Sequence, residues 1–569
     1  MAGGLGLGLG LAVAVPMVLA VSSVAAAAAP AAAASSRSSA ASAASAPGLV
    51  LATCRLPGLP QAARCGSLLR PLDPARPQGP LIDIHVAVLP ALARHPAADP
   101  VFFFAGGPGQ SAISLAPALA ARHARLGQRR DLVFVDQRGT GRSAPLRCAD
   151  DARRADLRPL AEQADTALRL QRLHACRVAL QALPYGDLRF FTTALAAADM
   201  DAVRRALGAE RISVIGFSYG TRLALDVMRQ FPSTLRRVVL DGVAPPDLQL
   251  PAAAAQDNQA ALDAVFDACA AQPACRQRHP ALHAQWAAVL ARLPVDVLLP
   301  HPVSGQPQPL RLQRDAVLGL VRGPLYSPAQ AAALPEVIGQ AHAGHWAPLA
   351  ALASQVGGGA AGAVFSGLHF SVVCAEDMGV GATVNTAEPA AGAGDAAAAA
   401  AGAGASAGAA TVAAASAVAG VAPAAVAAVS ESASGSSAGF GDSFARLYRQ
   451  VCADWPRGAV SPAFYTVPTA VAPTWLLSGG LDPVTPPRHA QRVAQALGHQ
   501  ARHTVVANAG HGVLGQACLR DAVARFITTD DAATALAIDT GCAQAVPRPL
   551  AFVQPGQVQP GRPAGGAVR

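Results

Sequence analysis

The sequence predicts an α/β protein: a mostly parallel sheet with helices on both faces, interrupted by an inserted helical cap. Three observations predict it. Short apolar runs recur, each closing on a turn cluster: Val101–Ala105 before Gly-Gly-Pro-Gly, Asp131–Val135 before Asp-Gln-Arg-Gly, Arg211–Ile215 before Gly216, and Val238–Leu240 before Asp241-Gly242. Runs of that length, bounded by turn signals, are the mark of strands buried on both faces. Amphipathic stretches lie between them, as in Thr193–Leu207, which leads into the third run. The strand texture then stops after Pro245-Pro246 and returns only from Val471, in Thr474–Leu477 and His503–Ala507, so that one sheet is interrupted and later completed.

The chain has 569 residues, 52% hydrophobic, 14% charged and 4% aromatic. Mean hydropathy is +0.32, but alanine supplies most of it. Beyond the N-terminus no uncharged run combines bilayer length with real Leu, Ile, Val or Phe content, which excludes a polytopic membrane protein. The net charge is +9, and all 44 basic residues are arginine. They are scattered rather than clustered or interleaved with aromatics, so nucleic acid is not an expected partner.

Taken in order, residues 1–36 carry no charged side chain, and an apolar stretch from Leu5 to Val24 precedes small-residue cleavage sites. This is the pattern of a secretory signal, although no basic residue precedes the apolar part; the alternative is an uncleaved N-terminal anchor. Residues 48–245 form the first half of the core and 246–378 a helical cap. Residues 379–439, nearly all Ala, Gly, Ser and Val, form a low-complexity insertion that cannot bury a core of its own. Residues 440–546 complete the core, and 547–569 form a flexible Pro/Gly-rich tail. Ten cysteines fall as Cys54/Cys65, Cys148/Cys176, Cys269/Cys275, Cys374/Cys452 and Cys518/Cys542, with no C-x-x-C and no zinc-finger spacing. Behind an export signal they read as disulfides; spacing does not fix the connectivity, and sequence neighbours are the pairing adopted.

G-x-S-x-G occurs at Ser218, Ser406 and Ser437. A nucleophilic serine at the apex of a strand-to-helix turn needs flanking glycines, because a Cβ there meets the strand or the helix. Only Ser218 has a β-branched run before it (Ile212, Val214, Ile215) and an apolar helical pattern after it; the other two lie in low-complexity sequence. An oxyanion needs two convergent backbone N–H groups. One is expected from Tyr219, the residue after the nucleophile, and the other from the glycine loop Gly106–Gly109, with Gly107 as donor and Gly106 in reserve. The hydroxyl also needs a base oriented by a carboxylate, in the chain order Ser, acid, His. His511, between two glycines after a strand, is favoured over His499 and His503. Asp482, at a strand end, is favoured over Asp241.

These motifs together, with Cys65-Gly66, Pro71-Leu-Asp73, Asp136-Gln-Arg-Gly-Thr-Gly-Arg142, Ser371-Val-Val-Cys-Ala-Glu-Asp377 and Gly479-Gly-Leu-Asp482, resemble the secreted α/β-hydrolases of the prolyl/tripeptidyl aminopeptidase group of serine peptidases. The resemblance runs from about Cys54 to Cys542. It implies an α/β-hydrolase core with a helical cap and a TAP-like C-terminal half carrying Asp482 and His511. It also implies removal of short peptides or residues from free N-termini, outside the cytoplasm (secreted or periplasmic). The sequence departs from the group in its Ala/Gly insertion and in Ala105, where related peptidases often have His. Arg138 is expected to pair with Asp136, to support the oxyanion loop or to serve a structural turn.

An exopeptidase must recognise a substrate α-ammonium, and a desolvated carboxylate is its natural partner. Glu376 is the candidate, with a salt bridge holding the cap to the core as its alternative role. The expected enzyme is thus a serine hydrolase using Ser218, His511 and Asp482 on peptides with a free N-terminus, with no metal or organic cofactor. A carboxylesterase using the same triad is the runner-up, and a non-catalytic binding module on the same fold the different-class alternative.

Overall fold

The structure is a computed structural model that describes residues 48–151, 157–355, 363–378 and 439–553. The signal segment 1–36, the low-complexity insertion up to residue 438 and the tail from residue 554 lie outside the described residues. Among the described residues nine strands form one sheet: β1 (Ala52–Cys54), β2 (Ala63–Pro71), β3 (Leu81–Leu89), β4 (Val101–Phe104), β5 (Leu132–Val135), β6 (Ile212–Phe217), β7 (Leu235–Asp241), β10 (Thr474–Gly479) and β11 (Ala501–Val506). The other two, β8 (Val295–Pro300) and β9 (Pro307–Leu312), form a separate antiparallel ribbon. The spatial order is β1-β2-β3-β5-β4-β6-β7-β10-β11. Pairing is antiparallel from β1 through β3 to β5 and parallel from β5 to β11.

The six apolar runs of the sequence are β4, β5, β6, β7, β10 and β11. Their burial explains the texture. Successive strand residues face opposite sides of a sheet: Phe102 and Phe104 join one core with Val133, Val214, Val238 and Leu476, whereas Val101 and Phe103 join the other with Phe134, Ile215, Val239 and Trp475. Both faces are covered, so both sets of positions must be apolar. Strands β1 to β3 escape that signal. The Leu81-Ile-Asp-Ile84 start of β3 alternates exposed with buried side chains, as a half-solvated antiparallel strand does.

Two expectations about the cap are corrected. It is not wholly helical, because β8 and β9 lie within it; β8 is exposed or half-buried except at Leu299, so its short Val297–Leu299 run lacks the two-sided burial of the main-sheet strands. Nor does the cap extend to residue 378. Its own core draws on Leu262, Phe266, Trp286, Val317, Leu334 and Ile338, but the helix Ser366–Glu376 buries Leu368, Phe370, Val372 and Val373 in the main core. Cys374 ties that helix to Cys452. All ten cysteines are paired with their sequence neighbours. Among the described residues no helix is long and apolar enough to cross a membrane.

The tail is also corrected over its first residues. Arg548 donates to the Ala264 carbonyl at 2.6 Å, Ala551 N to Gln272 Oε1 at 2.8 Å and Phe552 N to the Ala332 carbonyl at 2.8 Å. Backbone groups of this segment are therefore paired with the cap, which composition alone could not reveal. Truncation after Val546 is expected to lower the melting temperature by several degrees, corresponding to roughly 1–3 kcal/mol for a few lost hydrogen bonds and apolar contacts. An unchanged melting curve counts against the strap.

Candidate active site

Strand β6 ends at Phe217 and the helix Tyr219–Gln230 begins two residues later, so Ser218 must turn the chain within a single residue. It does so at φ 52° and ψ −123°, a conformation L side chains rarely adopt. Strain of this kind persists only where surrounding structure enforces it. The flanking glycines show what enforces it here. A Cβ on Gly216 would lie 2.6 Å from the Gly220 carbonyl oxygen, and one on Gly220 would lie 2.2 Å from the Phe104 carbonyl oxygen. The Ser218 N–H donates to the Asp241 carbonyl at the end of β7 at 2.9 Å.

The glycine loop after β4 lies directly against the nucleophile: a Cβ on Gly106 would stand 3.1 Å from Ser218 Cβ. Gly107 and Gly109 have φ of 109° and 110°, open to glycine alone. Tyr219 is the first residue of its helix, so its N–H has no acceptor within the helix. Tyr219 adjoins Ser218 in the chain, and on the loop side it is Gly106, the reserve donor, that lies against Ser218.

His511 Nδ1 lies 2.8 Å from Asp482 Oδ2. Asp482 is an acceptor only, so the network assigns the proton to Nδ1 and leaves Nε2 as the base. The rest of the carboxylate is fully engaged: Oδ1 accepts from the Val484 and Thr485 N–H groups at 2.8 and 2.9 Å, and Oδ2 from Thr485 Oγ1 at 2.7 Å. Burial alone would raise the Asp482 pKa, but the His511 charge and these donors outweigh it and hold it below the ordinary value. For His511 burial works downward, and Asp482 outweighs it, leaving the imidazole above its ordinary value.

What joins base to nucleophile is the Asp241–Gly242 corner. The Asp241 carbonyl holds Ser218 N, while a Cβ on Gly242 would fall 3.2 Å from His511 Cε1. The Ser218 hydroxyl has no hydrogen-bond partner among the described residues; such bonds commonly tighten only with substrate bound. Asp241, the rival acid, accepts from Val513 N and Leu514 N and so fixes the loop that carries His511. Burial pushes its pKa up to about 6 despite those bonds. His503, the rival base, lies on β11 and contacts Ser478 Oγ at 3.0 Å.

Glu376 is not where an α-ammonium anchor should be. It is buried, and its carboxylate accepts from Thr193 N at 2.7 Å and Thr193 Oγ1 at 2.8 Å, with Arg222 at 3.6 Å. Thr193 Oγ1 in turn contacts the Tyr219 hydroxyl at 2.7 Å, to which Gln137 also donates. Burial pushes the Glu376 pKa up to about 7 against the pull of Arg222 and Thr193. The residue closes a network beneath the nucleophile turn, and both its oxygens are occupied within the protein. Glu376→Gln is expected to cost roughly 1–3 kcal/mol of stability and to slow cleavage of free and N-acetylated substrates alike. A selective loss on free N-termini would restore the anchor.

Arg138 pairs with Asp199 through two hydrogen bonds of 2.7 and 2.9 Å, not with Asp136. Asp136 instead accepts from Ser111 Oγ and from the N–H groups of Ile113 and Arg142. Sequence reasoning missed Thr485 and Tyr326. The first had a signal, because an Asp commonly accepts N–H groups two or three residues on. The second had none: the Tyr326 carbonyl accepts from His511 N, and its ring stands edge-on to the imidazole at 5.4 Å, across 185 residues of sequence. Among the described residues no group of three or more His, Cys, Asp or Glu side chains is assembled that could hold a metal.

Two family models match the chain. That of the α/β hydrolase fold covers residues 99–312, and that of TAP-like proteins covers residues 436–542. The chain has the α/β-hydrolase fold, and residues 436–542 are similar to TAP-like proteins. The hydrolase is 32% identical over 200 residues to the serine protease Hip1 of Mycobacterium tuberculosis, a match covering 33% of this chain and 37% of that one. It is 31% identical over 201 residues to the tripeptidyl aminopeptidase of Streptomyces coelicolor, covering 33% and 36%. It is 28% identical over 227 residues to carboxylesterase B of M. tuberculosis, covering 38% and 43%. The aligned part of this hydrolase thus spans little more than a third of the length of the first two relatives.

Proposed function

We propose that the protein is an exported serine peptidase that cleaves amide bonds near the free N-termini of peptides through an acyl-enzyme. The observation that carries the proposal is the strained Ser218 turn, packed against the glycine loop on one side and, through Asp241–Gly242, against the His511–Asp482 pair on the other. Ser218 Oγ attacks the carbonyl as His511 Nε2 takes its proton. The Tyr219 and Gly107 N–H groups receive the oxyanion, and Asp482 keeps the imidazole oriented and stabilises its charged form. His511 returns the proton to the leaving amine, and water then releases the acyl group by the same steps. The five disulfides favour an oxidising compartment, secreted or periplasmic. Likeness to a serine protease and a tripeptidyl aminopeptidase supports peptides as substrates; likeness to a carboxylesterase supports ester hydrolysis by the same residues as the second reading.

The test is purified protein against free and N-acetylated proline, alanine and tripeptide anilides beside simple acyl esters, with a serine-directed phosphonate as control. Faster cleavage of the free anilides supports the peptidase. Turnover of esters alone moves the protein to the second reading.

A further inference from the structure

The roof of the site carries a cation, Arg322, with no counter-ion among the described residues. Arg322 lies in the last turn of the cap helix Arg314–Leu325. Among the described residues its side chain donates one hydrogen bond, to the Tyr326 hydroxyl at 3.0 Å, and its buried Nε finds no acceptor. Among the described residues no carboxylate pairs with it. The guanidinium carbon stands 4.6 Å from the centre of the Phe444 ring and 5.6 Å from that of Tyr326. Each ring begins a path to the chemistry. Tyr326 stands against His511. Phe444 packs on Tyr448 at 4.7 Å, Tyr448 contacts His369 Nε2 at 2.7 Å, and His369 Nδ1 lies 3.2 Å from the Pro108 carbonyl in the glycine loop. Arg322 is therefore linked through ring contacts to the base on one side and to the oxyanion loop on the other, and its charge is felt at His511, His369 and Tyr448.

A half-desolvated guanidinium is costly without an anion, and its fork matches a carboxylate in geometry. Nearby carboxylates do not supply one: Asp482, Asp241, Glu376 and Asp377 are each engaged by other groups. The aromatic faces hold the fork in place without neutralising it. We propose that Arg322 binds a carboxylate of the substrate, so that the enzyme prefers substrates bearing an anionic group beside the scissile bond. The carboxylate can come from the C-terminus of a short peptide on the leaving side or from an acidic side chain on the acyl side. This deepens the assignment of Ser218, His511 and Asp482 and rests on it.

Three matched pairs test the idea by kcat/KM: a tetrapeptide against its C-terminal amide, glutamyl against glutaminyl 4-nitroanilide, and the 4-nitrophenyl monoester of adipic acid against its methyl-capped form. The wild type is expected to favour the acid by roughly tenfold or more in at least one pair, mainly through KM, as a charge-assisted bond requires. The first two pairs distinguish the two sources. Arg322→Gln is expected to bring that ratio close to one, which a merely structural arginine would not do. Arg322→Lys is expected to keep part of it and serves in its place if the glutamine variant does not fold. A wild-type ratio near one in every pair, or an unchanged ratio in Arg322→Gln, overturns the proposal. Discrimination in the adipate pair with no peptide cleavage sinks the peptidase reading and leaves Arg322 standing; peptide cleavage indifferent to charge does the reverse.

Discussion

Replacing Ser218 by alanine is expected to lower kcat by roughly five to six orders of magnitude, to the residual level that positioning and oxyanion binding sustain when a triad member is lost. KM should change little, because the hydroxyl acts in the transition state. The backbone makes a second, opposite claim about the same residue. At φ 52° a serine is strained and a glycine is not. Ser218→Gly should therefore be as inactive as the alanine variant yet more stable than the parent, by about 1 kcal/mol. Denaturant melts of the three proteins check this beside their kinetics. Activity within tenfold of the parent in the alanine variant removes Ser218 from the mechanism. A glycine variant that melts early shows that the turn is not held under strain.

Asp482→Asn should cost about four orders of magnitude in kcat, since a side-chain amide can stabilise neither the imidazolium nor the required tautomer. The pH profile carries the sharper test. His511 acts as base only when neutral, so the rate climbs as pH rises through its pKa, which Asp482 holds above the ordinary histidine value against the downward push of burial. Without the carboxylate, burial prevails and the pKa falls. The rising limb of kcat/KM should thus lie above pH ~6.5 in the parent and move to lower pH in the variant. A limb that stays in place or moves upward means that Asp482 does not set the charge state of the base.

Much of this was legible because some requirements are local. The Ser218 turn needs glycine at 216 and 220 whatever surrounds it, and a strand covered on both faces, such as β4 or β6, must be apolar at consecutive positions. The oxyanion loop announces itself in the same way, through Gly107 and Gly109 at conformations open to glycine alone. The order Ser, acid, His admits the rivals Asp241, His499 and His503 as well; Asp482 and His511 stand out by their places at a strand end and between two glycines after a strand. Other features lacked a local mark. Strand β3 starts in alternating sequence because one of its faces is partly solvated, and the ribbon of β8 and β9 hides in the cap for a related reason.

The sequence by itself determined the class of fold and singled out Ser218, His511 and Asp482 as candidates, because each rests on a residue type demanded within a few positions of backbone. Only the tertiary structure decided the use of charge. Read along the chain, Glu376 is a plausible ligand for a substrate ion, whereas Arg322 carries no mark that sets it apart from the other arginines. In the fold, Thr193, 183 residues away, satisfies the carboxylate, while the guanidinium is left among aromatic rings above the base. Whether a buried charge is spoken for depends on partners that folding alone brings within hydrogen-bond distance, and neither spacing nor composition encodes that distance.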